Sequence, residues 1–145
     1  MQNIVLNSEQ DTIKLAETIA KDVKKNTIIL LYGGLGVGKT FFTNAFINYF
    51  NKIENRKVED ITSPTFNIVK TYKTNNFDIF HFDLYRIKDV EELYELDIED
   101  AFNNVAIIEW PEIIENILPY KTISMFFSLE NNVRHCKIKI EEKSL

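Results

Sequence analysis

Residues 33–40 read Gly33-Gly34-Leu35-Gly36-Val37-Gly38-Lys39-Thr40 and satisfy Gly-x-x-x-x-Gly-Lys-Thr. The pattern suits a phosphate chain. Backbone N–H groups must point inward at phosphate oxygens, a conformation that side chains obstruct and glycine permits. All four glycines of the chain fall between positions 33 and 38, a concentration that a merely permissive turn does not need. The amides of Gly33, Gly36, Val37, Gly38, Lys39, Thr40 and Phe41 are the expected cradle. The Lys39 ammonium would reach the β- and γ-phosphates, and the Thr40 hydroxyl would complete the shell of a Mg²⁺ ion that keeps several waters. Both roles require a nucleoside triphosphate.

Two acids are candidates to work beside this loop. Residues 105–109, Val-Ala-Ile-Ile-Glu, form a continuous apolar strand that ends in Glu109, a placement from which a carboxylate can meet the metal directly or through water. The alternative is a helix-start acid before Pro111, favourable with the helix dipole. Asp83 ends another aromatic-rich segment. On its residues alone it is either aimed into a cleft, where it positions water, or an exposed cap before the next turn. His81 reads as a partly buried strand residue rather than a base, Trp110 as core packing or a partner surface, and Cys136 as a structural thiol in an alternating strand.

These groups need a frame. Residues 27–32 are a β-branched and apolar run without alternation, as in a strand covered on both faces. Phe42, Ala45, Phe46, Tyr49 and Phe50 then share one face of a helix from 39 to 50, followed by a polar loop over 51–60. The phosphate loop therefore sits between a strand and a helix, as its mechanism requires. Upstream, Ser8 three residues before Asp11 marks a helix start, with Ile13, Ala16, Ile19, Ala20 and Val23 at helical spacing. Segments 66–72 and 77–84 predict a hairpin, 90–96 a helix, and 122–129 with 133–140 two final strands. The alternation predicts a single α/β domain over 1–145, with a mixed, mainly parallel sheet and an antiparallel hairpin.

The chain has 145 residues, 45% hydrophobic and 27% charged, and a net charge of -5. One core is enough, and a surface of that sign repels phosphate backbones, which argues against direct, high-affinity nucleic-acid binding. Arg56, Arg86 and Arg134 are widely scattered, and Arg56-Lys57 is too short for a basic tract. One cysteine builds neither a disulfide nor a multi-thiolate metal site. No apolar run approaches the ~18 residues of a membrane span, and the start carries no signal pattern. A cytoplasmic protein without membrane contact is expected.

Three further segments carry a resemblance. Ser63-Pro64-Thr65-Phe66, His81-Phe82-Asp83-Leu84-Tyr85-Arg86 and Glu109-Trp110-Pro111-Glu112, in that order after the phosphate loop, resemble the signature set of the TsaE family, also called YjeE, over essentially the whole chain. The resemblance implies the three-layer P-loop NTPase fold. It also implies an ATPase that acts with TsaB and TsaD as threonylcarbamoyl is attached to adenosine 37 of tRNA, with tRNA met only through the complex. By the same resemblance ATP is the nucleotide, Thr40 and Glu109 hold Mg²⁺, Asp83 serves hydrolysis with Lys39, and Trp110 lies beside the nucleotide. Ser63 and Thr65 belong to a switch-like loop facing the phosphates, and Ser8 and Arg134 fall where base-binding groups are implied. The sequence departs from the family loop in having Gly34 for Asp and Phe41 for a second Thr, which removes one hydroxyl from the α-phosphate. Two other readings remain: a small-molecule kinase, for which three scattered arginines make a poor lid, and a nucleotide-gated binding module.

Overall fold

The computed structural model describes residues 1–34 and 36–142; Leu35 of the glycine loop lies outside them. The elements in chain order are β1 (Gln2–Leu6), α1 (Glu9–Asp22), β2 (Thr27–Tyr32), α2 (Lys39–Ile53), β3 (Val69–Lys73), β4 (Asp78–Asp83), α3 (Glu91–Tyr94), α4 (Ile98–Phe102), β5 (Val105–Glu109), a 3₁₀ segment (Pro111–Ile117), β6 (Lys121–Glu130) and β7 (Val133–Glu141). The strands form a seven-stranded sheet of order β1-β7-β6-β2-β5-β4-β3. Its centre, β6-β2-β5-β4, is parallel, and both flanks, β1-β7-β6 and β4-β3, are antiparallel.

The apolar strand segments explain the centre. β2 and β5 are buried almost throughout, as continuous hydrophobic runs must be when helices cover both faces. Side chains alternate across the sheet. Ile29, Leu31, Ile79, Val105 and Ile107 face α1 and α2, where they meet Phe42, Phe46 and Phe50. Ile28, Leu30, Phe80, Phe82, Ala106 and Ile108 face the opposite layer, made of α3, α4 and the 3₁₀ segment through Leu93, Ile98, Phe102 and Ile114. Truncating one of the fully buried phenylalanines, Phe42 or Phe46, would cost about 3–5 kcal/mol.

Local expectations differ from the structure in several places. Helix α1 begins as expected: the Ser8 side chain accepts from the Asp11 N–H at 3.3 Å, and the Asp11 carboxylate accepts from the Asn7 N–H at 3.0 Å. Its buried stripe, however, is centred on Thr12, Leu15, Ala16 and Ala20. Helix α2 runs to Ile53, three residues into the stretch read as loop, because its polar residues are satisfied in place: the buried Asn51 amide donates to Asn48 Oδ1 at 3.0 Å, and the Asn48 amide donates to Asn44 Oδ1 and to the Glu59 carbonyl. Strand β3 starts at Val69 rather than Phe66, which is exposed. Strand β1 has no distinctive pattern and exists only by pairing with β7.

Candidate functional site

The alternation that builds the core also builds the site. His81 and Asp83 share parity with Ile79 in β4, and Glu109 shares it with Val105 and Ile107 in β5. All three polar side chains are therefore carried on the α2 face. Register sets Asp83 beside Glu109, and Glu109 beside Leu31 of β2. The carboxyl ends of three adjacent parallel strands thus deliver two acids and the glycine loop to one place, which is where open α/β sheets bind ligands.

The loop has two backbone positions that only glycine fits. Gly33 has φ +135°, and a Cβ there would lie 2.7 Å from the Phe127 carbonyl oxygen and 2.8 Å from Val37 Cγ2. Gly38 caps α2 with φ +111°, where a side chain would strain the backbone. Helix α2 starts immediately behind it, so its first-turn amides and positive dipole end face the loop.

A cavity of about 310 Å³ lies here. Gly36, Gly38, Lys39, Thr40 and Phe41 line it from the loop side, and Ser63, Thr65, Asp83, Glu109, Trp110 and Arg134 from the other sides. Lys39 is only 5% exposed. Its Nζ donates to the Gly33 carbonyl at 2.7 Å and lies 4.2 Å from the centre of the Trp110 ring. Desolvation holds the Lys39 pKa below the ordinary lysine value, against the pull of Glu109, Asp83 and Glu112. Trp110 reaches this position because its backbone turns left-handed, φ +54°, directly after β5. Its ring also packs on Tyr85, with centres 5.0 Å apart.

Asp83 is not a free cap. One oxygen accepts from Ser63 Oγ at 2.9 Å and Thr65 Oγ1 at 3.0 Å; the other accepts from the Tyr85 N–H at 3.0 Å. Glu109, 3% exposed, lies 2.7 Å from His81 Nε2 through its Oε2. His81 is fully buried, a correction to the partly buried reading. That contact has no short-range sequence signal, because 28 residues separate the partners.

Of the other expected residues, Gly33 offers its carbonyl to Lys39 rather than lining the cavity, and Val37 packs its side chain against the α1/α2 core. Ser8 lies outside the cavity. It borders a neighbouring depression of about 360 Å³, whose wall it shares with Arg134, and Arg134 lines both spaces. Arg86 sits over the exposed ring of Phe66, 5.1 Å away, and Cys136 is buried.

The chemistry of the donors can be tested against an ion. Thr40 and Glu109 offer oxygen, the ligand type that Mg²⁺ takes, and among the described residues no three His, Cys, Asp or Glu side chains gather to hold a metal by themselves. Such a site suits an ion that keeps waters and shares its shell with phosphate oxygens.

The parallel centre, the flanking helices and the glycine loop at the switch from β2 to α2 define an α/β protein of the P-loop fold. A solved structure, Bacillus subtilis YdiB, has the same fold, with a TM-score of 0.73, 23% identity, and coverage of 98% of this chain and 86% of that one. A family model described as "Threonylcarbamoyl adenosine biosynthesis protein TsaE" matches residues 6–138. The chain belongs to the TsaE family. Among its relatives, the tRNA threonylcarbamoyladenosine biosynthesis protein TsaE of Rickettsia conorii is 49% identical over 95% of this chain and 78% of the relative. The protein of the same description from Rickettsia typhi is 48% identical over 94% of this chain and 93% of its own. That from Bacillus subtilis is 30% identical over 80% and 70%.

Proposed function

We propose that this chain binds ATP with Mg²⁺ and hydrolyses it as the partner of TsaB and TsaD in forming threonylcarbamoyladenosine in tRNA, supporting turnover of the synthase without transferring the group itself. The observation that carries the reading is the convergence of a dehydrated Lys39, Thr40, Glu109 and Asp83 on one cavity at the first turn of α2. The family descriptions support the pathway. The geometry supports the chemistry.

In this reading loop amides and the α2 dipole hold the phosphate chain, and Lys39 swings from the Gly33 carbonyl to the β- and γ-phosphates. Thr40 and Glu109 would hold Mg²⁺, which supplies charge neutralisation to the transferred phosphoryl group. Asp83 positions the attacking water. Ser63 and Thr65 occupy its Oδ2 and the Tyr85 N–H takes one acceptor site of its Oδ1, which leaves one carboxylate site for that water until the two hydroxyls turn toward the phosphates and free Oδ2 as well. Slow turnover by the isolated protein follows, with acceleration by the partners. A kinase reading is disfavoured because, of the three arginines, Arg134 alone lines the cavity among the described residues. The role is a cytoplasmic one, and no helix among the described residues is long and apolar enough to cross a membrane.

Calorimetry with Mg-ATP and Mg-ADP tests the binding. Reconstitution with TsaB, TsaD, tRNA, threonine, bicarbonate and ATP tests the pathway, the expected result being multiple turnover that depends on this chain. Absence of nucleotide uptake, with partners or without, would overturn the proposal.

A further inference from the structure

We infer that His81 is a positioning residue for Glu109: an imidazole whose Nε2–H donates to one carboxylate oxygen and leaves the other turned to the cavity. The inference rests on the proposed Mg²⁺ role of Glu109 and extends it to a residue that does not itself line the cavity.

Three observations carry it. His81 Nε2 and Glu109 Oε2 are 2.7 Å apart in a fully buried contact, within the range of a charge-assisted hydrogen bond. The other ring nitrogen, Nδ1, is buried without a hydrogen-bond partner. A proton on Nδ1 would leave a buried donor unsatisfied and would set the bare Nε2 lone pair against a carboxylate, so the proton belongs on Nε2. Finally, the position is fully buried. His81 lies on the α2 face of β4, paired with Ile107 of β5 on one side and Lys70 of β3 on the other, a place where an aliphatic residue would carry no unpaired polar atom. A buried ring that leaves one nitrogen unpaired is retained for the bond it does make.

The consequence concerns orientation. A carboxylate at a strand end is free to rotate about its terminal bond, and ordering it at the moment of binding opposes metal uptake. Held by His81, Glu109 presents one oxygen in a fixed direction, as outer hydrogen-bond partners do for metal ligands elsewhere. Because His81 is sealed from the cavity, it acts through Glu109 and touches neither nucleotide nor water.

The test compares His81→Phe, which fills the space without a donor, with His81→Gln, whose side-chain amide can donate to the carboxylate. ADP binding is titrated by calorimetry at varied Mg²⁺, and thermal melting verifies folding. In His81→Phe the Mg²⁺ concentration for half-maximal enhancement should rise about 10- to 100-fold, while Mg²⁺-free ADP binding stays at the wild-type value. His81→Gln should recover most of the difference. Equal Mg²⁺ dependence in wild type and His81→Phe would overturn the inference alone, whereas a wild type that takes up no nucleotide would overturn the proposed function as well. Nitrogen-15 NMR of the wild-type ring needs no variant: the Nε2–H tautomer is expected, and the Nδ1–H tautomer would overturn the assignment even if His81→Phe fails to fold.

Discussion

The two ends of the parallel strands offer cavities of very different kinds. At the amino end, where α1 finishes and β2 and β6 begin, a space of about 650 Å³ is bordered by Lys21, Lys24, Lys25, Lys121, Asp22 and Glu142. At the carboxyl end the space is about 310 Å³, yet it holds Lys39, Asp83 and Glu109, all buried. Size points to one end and chemistry to the other. Lys21, Lys24 and Lys25 at the amino end are exposed, and their place near the end of α1 is accounted for by its negative dipole end. Lys39 is held in a dehydrated place with its pKa depressed, an arrangement that costs stability and marks a group kept for binding. Buried charge on a helix N-terminal loop is therefore the better guide to the site than volume.

The comparison can be broken experimentally. The largest effect is expected from Asp83→Ala, which should lower ATP hydrolysis and support of tRNA modification by about 10²- to 10⁴-fold while ATP still binds. Single-turnover hydrolysis with the partner proteins measures it. Full activity in that variant would remove Asp83 from the chemistry. Next comes Lys39→Ala, expected to weaken Mg-ATP binding about 10- to 100-fold by calorimetry. Lys24→Ala and Lys121→Ala, at the amino end, serve as its controls: each should change stability by less than about 0.5 kcal/mol and leave the affinity at the wild-type value. Equal losses at both ends would erase the distinction.

A smaller effect sharpens the account of the loop. Gly38→Ala places a side chain at φ +111° and should destabilise the folded protein by about 1–3 kcal/mol, read as a lowered thermal midpoint. An unchanged midpoint would show that the loop relaxes freely. The smallest response concerns Cys136, which pairs with Phe127 on the flank beside the loop. Burial pushes its thiol up to about 12, so near pH 8 the native protein should hold almost no thiolate and resist alkylation. The unfolded chain should react readily. Fast labelling of native protein would mean that the flank opens.

Much of the fold was legible because its signals are local. The uninterrupted runs ending at Tyr32 and Glu109, the glycine loop and the hairpin around residues 74–77 each follow from a few adjacent residues. Strand β1 and helix α4 were not legible. One depends on a partner strand more than a hundred positions away, and the other follows a left-handed Asp97 that no short pattern announces. Site residues divide in the same way. The sequence offered Asp83 as a cap or a cleft acid with equal force, and the hydroxyls of Ser63 and Thr65 settle its placement in the cleft.

By itself the sequence determined a phosphate-loop pattern between a strand and a helix, two acids at strand ends and the family to which the chain belongs, because motif, period and apolar run length are all properties of neighbouring residues. Only the tertiary structure decided that His81 is sealed against Glu109, that Trp110 lies over the Lys39 ammonium, and that Ser8 stands apart from the main cavity. Those outcomes rest on sheet register and burial. They are set when distant strands pair side by side, and no single segment carries them.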